Sequence, residues 1–410
     1  MALASPGLIS RGSTSAPEEG RARTPPMGWN DWNSFGCDIT QQDVMDTADL
    51  FVSTGLRDAG YDYINVDDCW ASRYRDAQGR LKADPVDFPD GIKFLADYVH
   101  KRGLKFGIYS SAGSYTCAKA QPGSLGNELI DARTFAAWGV DYLKYDNCGT
   151  QRGYPKTRAG YIARYQVMAD AIAQVHDETG KSLVYSICEW GNWQPWNWAG
   201  KQSNLWRTTN DIVDNYPSML KIFRTNVALA AYARPGAWND PDMLQVGNGG
   251  MTDAEYRSHF SLWAMMAAPL FIGTDLRDAS PATMSTFRNR DLIAVDQDPL
   301  GRQATVVSNN DGLYVLSKPL AYGDTAVALF NSRKTDRMIR TTTAAVGATG
   351  LTPGFELSDL WSKTVYETDG DISFEVPAHQ VRVFRVSAAK EVWRPDRVPD
   401  LRQRVLPVQR

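Results

Sequence analysis

The amino-acid sequence predicts an α/β protein, a (β/α)8 TIM barrel followed by a C-terminal antiparallel β-sandwich domain. Between about residues 24 and 300, eight short runs rich in β-branched and aromatic residues alternate with longer segments of helical period. After about residue 304 the pattern changes to period-two alternation with turn dipeptides. The 410 residues allow two to three domains at ~150 residues each.

The eight runs are the predicted barrel strands, at 27–30, 61–68, 104–110, 140–147, 182–188, 204–211, 237–243 and 269–275. The spacing leaves room for a crossover helix after each strand, although the interval between the fifth and sixth is tight. A doubly wound sheet rarely needs eight strands at such even spacing, so the barrel is the better prediction.

Apolar periodicity predicts the helices between these strands. After Thr40, the residues Val44, Ala48 and Phe51 fall at i, i+4 and i+7, and Gly55 ends the pattern. A second clear stripe recurs every three or four residues before Gly180, at Ile162, Tyr165, Ala169, Ile172 and Val175. We interpret both stripes as core-facing.

Four segments are predicted. Residues 1–23 form a flexible tail, 24–303 the barrel, 304–387 the β domain and 388–410 a second tail. In the β domain, Asp311-Gly312 and Asp369-Gly370 are turn dipeptides. The segments 324–332 and 380–387 alternate as strands do.

Composition excludes several classes of partner. The formal net charge of −3 gives no basic surface for nucleic acid. The longest apolar run, 262–273, is shorter than the ~20 residues that cross a bilayer and contains Pro269, so no membrane partner is predicted. The first residues lack the pattern of a signal peptide, and Asn-X-Ser/Thr is absent.

Acidic residues lie at or just after the ends of five of the eight predicted strands, the second and the fourth to the seventh: Asp67 and Asp68, Asp146, Glu189, Asp211, then Asp240 and Asp242. A single such aspartate is most simply a helix cap. Five such strand ends are harder to attribute to capping, because aspartate is a poor strand former. Catalytic groups of barrel enzymes lie at these carboxyl ends, so the set predicts an active site.

Two chemistries suit a ring of carboxylates in a chain with only 4 His. One is a hard-cation site for Mg²⁺ or Ca²⁺, which no phosphate loop or EF-hand spacing supports. The other is glycoside hydrolysis by a pair of carboxyl groups. Tryptophans near the strand ends favour the second, since sugar rings offer apolar C–H faces to aromatic planes; these are Trp29, Trp32, Trp70, Trp190, Trp193, Trp196, Trp198, Trp206 and Trp238.

Two cations lie beside the acids. Lys144 precedes Asp146 by two residues, and a strand places both on one face. Arg207 precedes Asp211 by four. A lysine beside Asp146 favours its ionised form, as a nucleophile requires, whereas a proton donor needs a raised pKa.

The motifs resemble those of the retaining α-galactosidases of glycoside hydrolase family 27, from about Thr24 into the β domain. In order along the chain, the matching strings are MGWNDWNSFGC, YINVDDCW, LKFGIYS, YLKYDNC, YSICEW, WRTTNDI, WNDPDML, MAAPLFIGTDLR and DQDPLG. The family combines a (β/α)8 barrel with an antiparallel β domain and needs no metal or other cofactor. The resemblance therefore implies hydrolysis of α-galactosides without one.

The resemblance also implies residue roles. Asp146 matches the nucleophile and Asp211 the acid/base. The sugar would meet Trp32 as a stacking face, while Asp67, Asp68 and Lys144 would bind the hydroxyls on the 3-, 4- and 6-side. Arg207 and Glu189 would lie near the 2-hydroxyl, beside Trp190. The remaining wall would be Tyr109, Asp242 and Met243.

Two disulfides follow from the same resemblance, Cys37 with Cys69 and Cys117 with Cys148, the second beside Asp146. Cys188 has no later cysteine to pair with and is expected to be a buried thiol of low reactivity. Two disulfides favour an exported protein. The oligomeric state stays open.

Substrate choice depends on the loop after the fifth strand. The bulky Cys188-Glu189-Trp190 favours a free 2-hydroxyl over the 2-acetamido group of α-N-acetylgalactosaminidases. The β-L-arabinopyranosidases on this scaffold differ at the acid pair after strand two, where this chain has Asp67-Asp68. Both remain alternatives, as does a non-catalytic sugar-binding protein.

Overall fold

Eight parallel strands form the barrel in the computed structural model, which describes residues 21–118, 121–149, 154–348, 354–389 and the backbone of 405–406. The strands are β1 (Met27–Asn30), β2 (Tyr63–Asn65), β3 (Lys105–Ser111), β4 (Tyr142–Asp146), β5 (Val184–Cys188), β6 (Leu205–Arg207), β7 (Trp238–Asp240) and β8 (Leu270–Ile272). Strands that follow one another in the chain pair from β1 to β7, and β1 also pairs with β8. A parallel bridge between Leu244 and Ile272 closes the ring, so the predicted barrel is confirmed.

Ten α-helices are described: α1 (Trp32–Phe35), α2 (Gln41–Ser53), α3 (Leu56–Ala59), α4 (Gly91–His100), α5 (Glu128–Trp138), α6 (Arg158–Thr179), α7 (Tyr216–Asn226), α8 (Asp253–Met265), α9 (Pro281–Phe287) and α10 (Arg290–Asp296). Both predicted stripes are confirmed. Helix α2 buries Val44, Ala48 and Phe51, and the Thr40 hydroxyl caps its first turn. Helix α6 ends at Gly180, whose φ of 69° is the left-handed cap that glycine adopts readily.

Successive side chains of each barrel strand point alternately into the barrel and toward the helices, an alternation that we call strand parity. Tyr142, Val184 and Leu205 belong to an interior cluster with Tyr63, Trp238 and Phe271. The alternate residues, such as Leu143 and Ile187, pack outward against the helices in the largest core cluster. The inward row of each strand ends at the barrel mouth, which positions the polar residues there.

The β domain is a sandwich, as predicted. Its strands are β9 (Thr305–Asn310), β10 (Leu313–Pro319), β11 (Thr325–Asn331), β12 (Arg337–Thr342), β13 (Phe355–Asp359), β14 (Val365–Thr368), β15 (Asp371–Val376), β16 (Val381–Ala388) and β17 (Val405–Leu406). Seven form one sheet in the order β17-β14-β13-β16-β11-β10-β9, and β12 pairs with β15 to cover one of its faces. Val327, Leu329 and Phe384 lie in the core between these two sheets.

The other face of the seven-stranded sheet packs on the barrel. Ala328 and Phe330 belong to the same core cluster as the barrel helices. The Phe223 ring of α7 meets the Phe330 ring edge-on at 5.4 Å. The Trp361 indole N–H donates to the Ser261 hydroxyl of α8 at 2.9 Å, and the buried Lys318 ammonium donates to the Ala264 carbonyl at 3.2 Å. Strand β11 is therefore buried on both sides.

Most of both predicted tails, 1–20 and 390–404 with 407–410, lies outside the described residues. The end of the first tail is ordered, because the Ala22 carbonyl accepts hydrogen bonds from the Trp238 indole at 2.6 Å and from the Gly236 amide at 2.9 Å. The last residues of the predicted tail are thus bound to β7 and to the loop before it. Among the described helices, none is long and apolar enough to cross a membrane.

Candidate active site

The acids at the strand ends converge on the carboxyl-terminal mouth of the barrel. Asp146 ends β4, and its strand partners are Ser111 of β3 and Cys188 of β5. Arg207, the last residue of β6, pairs with Asp211 and also contacts Asp242, which follows β7. The predicted cluster is therefore brought together in space, with the exception of the Glu189 carboxyl.

Asp146 lies deep in this mouth, with 5% of its surface exposed. Its Oδ1 accepts the Asn147 amide at 2.7 Å. Burial raises its pKa to about 6, although Lys144 and the Asn147 amide act to lower it. The sulfur atoms of Cys117 and Cys148 lie within 4.8 Å of the Asp146 carboxylate. Burial and the hydrogen bond from the Asn147 amide hold the Asp146 carboxylate in one orientation, as suits a group that reacts at a single position.

Asp211 lies at the solvent edge, with 62% of its side chain exposed. Arg207 Nη2 donates to its Oδ1 at 2.8 Å, while Arg207 Nη1 lies 3.0 Å from Asp242 Oδ1. Partial burial acts to raise the pKa of Asp211, but the charges of Arg207 and Lys144 and the hydrogen bond from Arg207 lower it. Arg207 thus clamps the loops after β6 and β7.

Asp242 is held by its whole surroundings. Its φ of 80° lies in the left-handed region, which few residues other than glycine adopt, although aspartate does so more often than most. Its amide donates to Asp240 Oδ1 at 2.8 Å, its carbonyl accepts the Trp263 indole at 2.7 Å, and its Oδ2 accepts the Ile212 amide at 2.7 Å. The buried Met243 follows it.

Lys144 and Asp67 form the opposite wall. Lys144 Nζ donates to Asp67 Oδ2 at 2.7 Å, and the Asn30 side-chain amide donates to the same oxygen at 2.7 Å. Burial acts to lower the pKa of Lys144, but Asp67 and the other acids of the mouth raise it well above its usual value. Lys144 is therefore a fixed cation between Asp67 and Asp146.

Asp68 accepts two backbone amides, from Cys69 at 2.7 Å and from Ala118 at 2.8 Å. These bonds join the loop after β2 to the loop after β3. Burial nevertheless raises the pKa of Asp68 above its ordinary value. The buried Tyr109 ring lies 5.5 Å from Lys144 Nζ, and its hydroxyl accepts the Cys117 amide at 3.4 Å.

Both implied disulfides are confirmed, Cys37–Cys69 and Cys117–Cys148. Each links two loops of the mouth. Cys117, Asp146 and Cys148 also form the one metal-like grouping found among the described residues. A sulfur in a disulfide is not a thiolate, so these cysteines cannot act as metal ligands here.

The tryptophans divide into two groups. Trp29, Trp206 and Trp238 are fully buried in the fold, so their prediction as sugar-stacking surfaces is wrong. Trp70 and Trp198 are also buried. The rings that keep exposed surface are Trp32, Trp190, Trp193 and Trp196. Strand parity accounts for Trp29 and Trp206, which point between strand and helix, whereas Trp238 points into the barrel interior at the start of β7, away from the mouth.

The Glu189 side chain is turned toward α6 in this structure, whereas the resemblance implies a place near the 2-hydroxyl. It lies on the outward row of β5 with Tyr185 and Ile187, and it is 0% exposed. Its Oε2 accepts the Tyr165 hydroxyl of α6 at 3.1 Å. Burial raises its pKa to about 8, so the carboxyl is neutral at pH 7.

The prediction that Cys188 is a buried free thiol is confirmed, but its position inside the mouth was not predicted. It lies on the inward row of β5, directly beside Asp146 of β4, and is 1% exposed. Arg207 Nη1 donates to its Sγ at 3.7 Å. Burial raises its pKa well above its usual value, so it is a neutral thiol. The alternation that paired Lys144 with Asp146 would have found it, had it been applied to β5.

A small cavity of about 20 Å³ lies beneath these groups, about the room that one water molecule needs. Its lining includes Asn30, Asn65, Ser186 and Asp240 together with Lys144, Arg207, Asp242 and Met243. Burial raises the pKa of Asp240 to about 6. The floor of the mouth is thus polar, with two buried carboxyl groups, Asp146 and Asp240, that titrate near pH 6.

Comparison with known proteins yields consistent matches. Residues 24–298 match the family described as "Alpha galactosidase A", and residues 310–386 match the "Alpha galactosidase C-terminal beta sandwich domain". An α-galactosidase of Oryza sativa subsp. japonica is 47% identical over 91% of this chain and 87% of its own. The structure of α-galactosidase I from Mortierella vinacea superposes with a TM-score of 0.85 at 38% identity, covering 91% of this chain and 99% of that one. The α-galactosidase of Saccharomyces cerevisiae with raffinose gives 0.84 at 31%, covering 92% and 100%.

Proposed function

The chain belongs to the α-galactosidases of glycoside hydrolase family 27, and we propose that Asp146 and Asp211 are the two carboxyl groups with which it hydrolyses terminal α-D-galactosyl residues. The observation that carries this assignment is the pairing of one buried and one exposed carboxyl group at a single barrel mouth. In a retaining mechanism one carboxylate attacks the anomeric carbon and the other carboxyl group protonates the leaving oxygen.

Asp146 has the surroundings of the nucleophile. It is buried beneath the mouth, where the reacting sugar carbon would lie, and the Asn147 amide fixes one of its oxygens. Lys144, two residues earlier on the same row, favours its ionised form. The other oxygen can then attack the anomeric carbon, and the bond to the leaving oxygen breaks.

Asp211 has the surroundings of the acid/base. Its exposed carboxyl can exchange protons with solvent, and a leaving group that departs toward solvent passes it. It would protonate the leaving oxygen in the first step. In the second step it would take a proton from the water that releases galactose with retained α configuration.

In the free site Asp146 has the raised pKa and Asp211 the lowered one. The first step requires the reverse. We propose that substrate produces this reversal: an aglycone over Asp211 removes its water and raises its pKa, while the sugar hydroxyls supply hydrogen bonds around Asp146. Arg207 would shift toward the substrate and so release Asp211 from its ion pair.

The walls fit a galactosyl group. The fixed Lys144–Asp67 pair and the neighbouring Asp68 offer the charged partners that bind vicinal hydroxyls. Trp32 and Trp190 keep exposed ring surface for the sugar's apolar side. The Cys188 thiol replaces Glu189 as the inward group of the loop after β5, and this bulky loop favours a free 2-hydroxyl over an acetamido group.

Azide rescue tests the two roles directly. With an activated aryl α-galactoside, Asp146→Gly should yield the β-galactosyl azide, because azide then replaces the missing nucleophile. Asp211→Gly should yield the α-azide, because azide attacks the glycosyl-enzyme from the other face. The opposite stereochemistry would reverse the assignment, and full activity of either variant would remove it.

A substrate panel separates the alternatives. Aryl α-galactoside should be turned over much faster than the α-N-acetylgalactosaminide or the β-L-arabinopyranoside. No turnover of any of them would support a sugar-binding protein without catalysis, and loss of activity in EDTA would support a metal-dependent enzyme. We further propose an α-galactoside such as raffinose as substrate and an extracellular location, supported by two disulfides.

A further inference from the structure

Arg164 is a buried guanidinium behind the nucleophile strand. It lies on the side of α6 that packs against β4 and β5, and only 1% of its surface is exposed. Its Cζ lies 5.1 Å from the Tyr161 ring and 5.3 Å from the Tyr165 ring. Burying an arginine is costly unless its charge is compensated, so a hydrogen-bonded or ionic partner is expected for Arg164.

No carboxylate among the described residues forms an ion pair with it. Arg164 Nη2 donates to the Asn147 side-chain oxygen, and its Nε and Nη1 are buried without a hydrogen-bond partner. The nearby Glu189 is bound to Tyr165, and its Oε1 also has no partner. Because burial raises the pKa of Glu189 to about 8, this carboxyl does not neutralise Arg164 at pH 7.

The single side-chain hydrogen bond of Arg164 leads to the reaction centre. Asn147 accepts the guanidinium through its side chain and donates its own backbone amide to Asp146 Oδ1 at 2.7 Å. Asn147 is itself 6% exposed, so solvent does not compete for either bond. The path from a buried cation to the nucleophile is thus two hydrogen bonds long.

We propose that Arg164 is a positioning residue for the reaction. It holds Asn147 so that the Asn147 amide is aimed at one oxygen of Asp146, which leaves the other oxygen directed at the anomeric carbon and favours the carboxylate form. This role rests on the proposed assignment of Asp146 as the nucleophile.

Packing alone does not require a guanidinium at this position. The Tyr161 and Tyr165 rings of α6 could hold an apolar side chain of similar length, such as methionine, without burying a charge. A guanidinium stacked there and aimed at the residue after the nucleophile instead uses its planar donors to fix an amide orientation. Catalytic groups require such support to within about 0.5 Å.

The experiment compares Arg164→Met, Arg164→Lys and Asn147→Ala in the full-length enzyme, with Arg75→Met as the matched control. Arg75 is another largely buried arginine, paired with Asp131 at 2.5 Å, and its hydrogen bonds lead to Gly79, Gly123 and Asp131 and not to Asp146 or Asn147. The readout is the acidic limb of kcat/KM for an aryl α-galactoside, which reports ionisation of the nucleophile in the free enzyme.

We expect Arg164→Met and Asn147→Ala each to move this limb to higher pH by about one unit. Each should also lower kcat/KM at pH 5 at least tenfold, because the Asn147 amide is then no longer held toward Asp146. Arg164→Lys should move the acidic limb less than Arg164→Met does. The double variant should shift no further than either single one, because both act on the same bond. Arg75→Met should lower the free energy of unfolding and leave the limb in place.

An unmoved limb in Arg164→Met together with lowered stability would overturn the proposal, as would additive shifts in the double variant. If Arg164→Met does not fold, Asn147→Ala, which keeps the arginine, gives the same answer. Failure of the nucleophile assignment is seen separately, since Asp146→Gly would then keep its activity or give no β-azide.

Discussion

Replacing Glu189 by glutamine tests whether this carboxyl group lies outside the sugar-binding mouth. The carboxyl is 0% exposed and faces Tyr165, outside the mouth. Glutamine keeps its shape and can keep the Tyr165 bond, but it cannot ionise. The substitution therefore separates a buried neutral carboxyl group from a charged group that touches the sugar.

The pKa of Glu189 sets both the sign and the size of the effect. Burial raises it from 4.5 to about 8, so the folded protein binds more protons than the unfolded chain between these values. The free energy of unfolding of the wild type then decreases as pH rises through this window and levels off above about 8. At ~1.4 kcal/mol per pKa unit, the loss reaches about 5 kcal/mol at most.

Below pH 4.5, Glu189→Gln should have the same free energy of unfolding as the wild type. From there to about pH 8 the variant should become progressively more stable than the wild type, because only the wild type must bury a charge. Urea unfolding followed by tryptophan fluorescence between pH 4 and 9 measures the difference. Between pH 5 and 7 the variant should keep kcat/KM within about threefold, because its side chain does not face the substrate.

Glu178→Gln is the matched control on α6. Glu178 is exposed and paired with Arg133, which lowers its pKa to about 2. Its stabilising effect is present above 4.5 and is lost as pH falls through about 2, which is the opposite sign. A pH-independent difference for Glu189→Gln, or a hundredfold loss of kcat/KM, would refute the placement of Glu189.

Three further predictions concern the mouth. Because the pKa of Asp146 is about 6, kcat/KM of the wild type should fall about tenfold per pH unit below pH 6, and a flat profile down to pH 4 would contradict this. Lys144→Met leaves Asp67 buried without its ion partner, so urea unfolding should show a free energy of unfolding lower by about 3 kcal/mol or more. The acidic limb of the kcat/KM profile should also move to higher pH, because Asp146 loses its neighbouring cation. Cys188 should resist iodoacetamide in the native enzyme and react after unfolding, as mass spectrometry would show; rapid native labelling would mean that the thiol is accessible.

Much of this fold could be predicted because short-range sequence patterns determine its strands and helices. The strand runs and the Val44, Ala48, Phe51 stripe reflect what each segment buries, and the structure confirms them. The acids after the strands were predictable for the same reason, since a barrel brings its strand ends to one face. These are consequences of chain direction and side-chain alternation.

Glu189 and Cys188 show where that reasoning stops. They are neighbours in the chain, yet one faces Tyr165 and the other Asp146, because adjacent strand residues point to opposite sides. The path through Arg164 could not be predicted, because it joins α6 to the loop after β4 through side-chain contacts. The pKa order of Asp146 and Asp211 likewise depends on burial and on distances to cations that a sequence does not contain.

The seam between barrel and sandwich has a consequence for how such proteins can be recombined. Lys318 is fully buried there, near Asp296 and against the Ala264 carbonyl, and Trp361 reaches across to Ser261. A barrel grafted onto a foreign sandwich would leave a lysine or a carboxyl group stranded in an apolar contact. Exchange of the two parts between relatives should therefore succeed only when these seam residues travel together, so the sandwich is inherited as part of the enzyme's core.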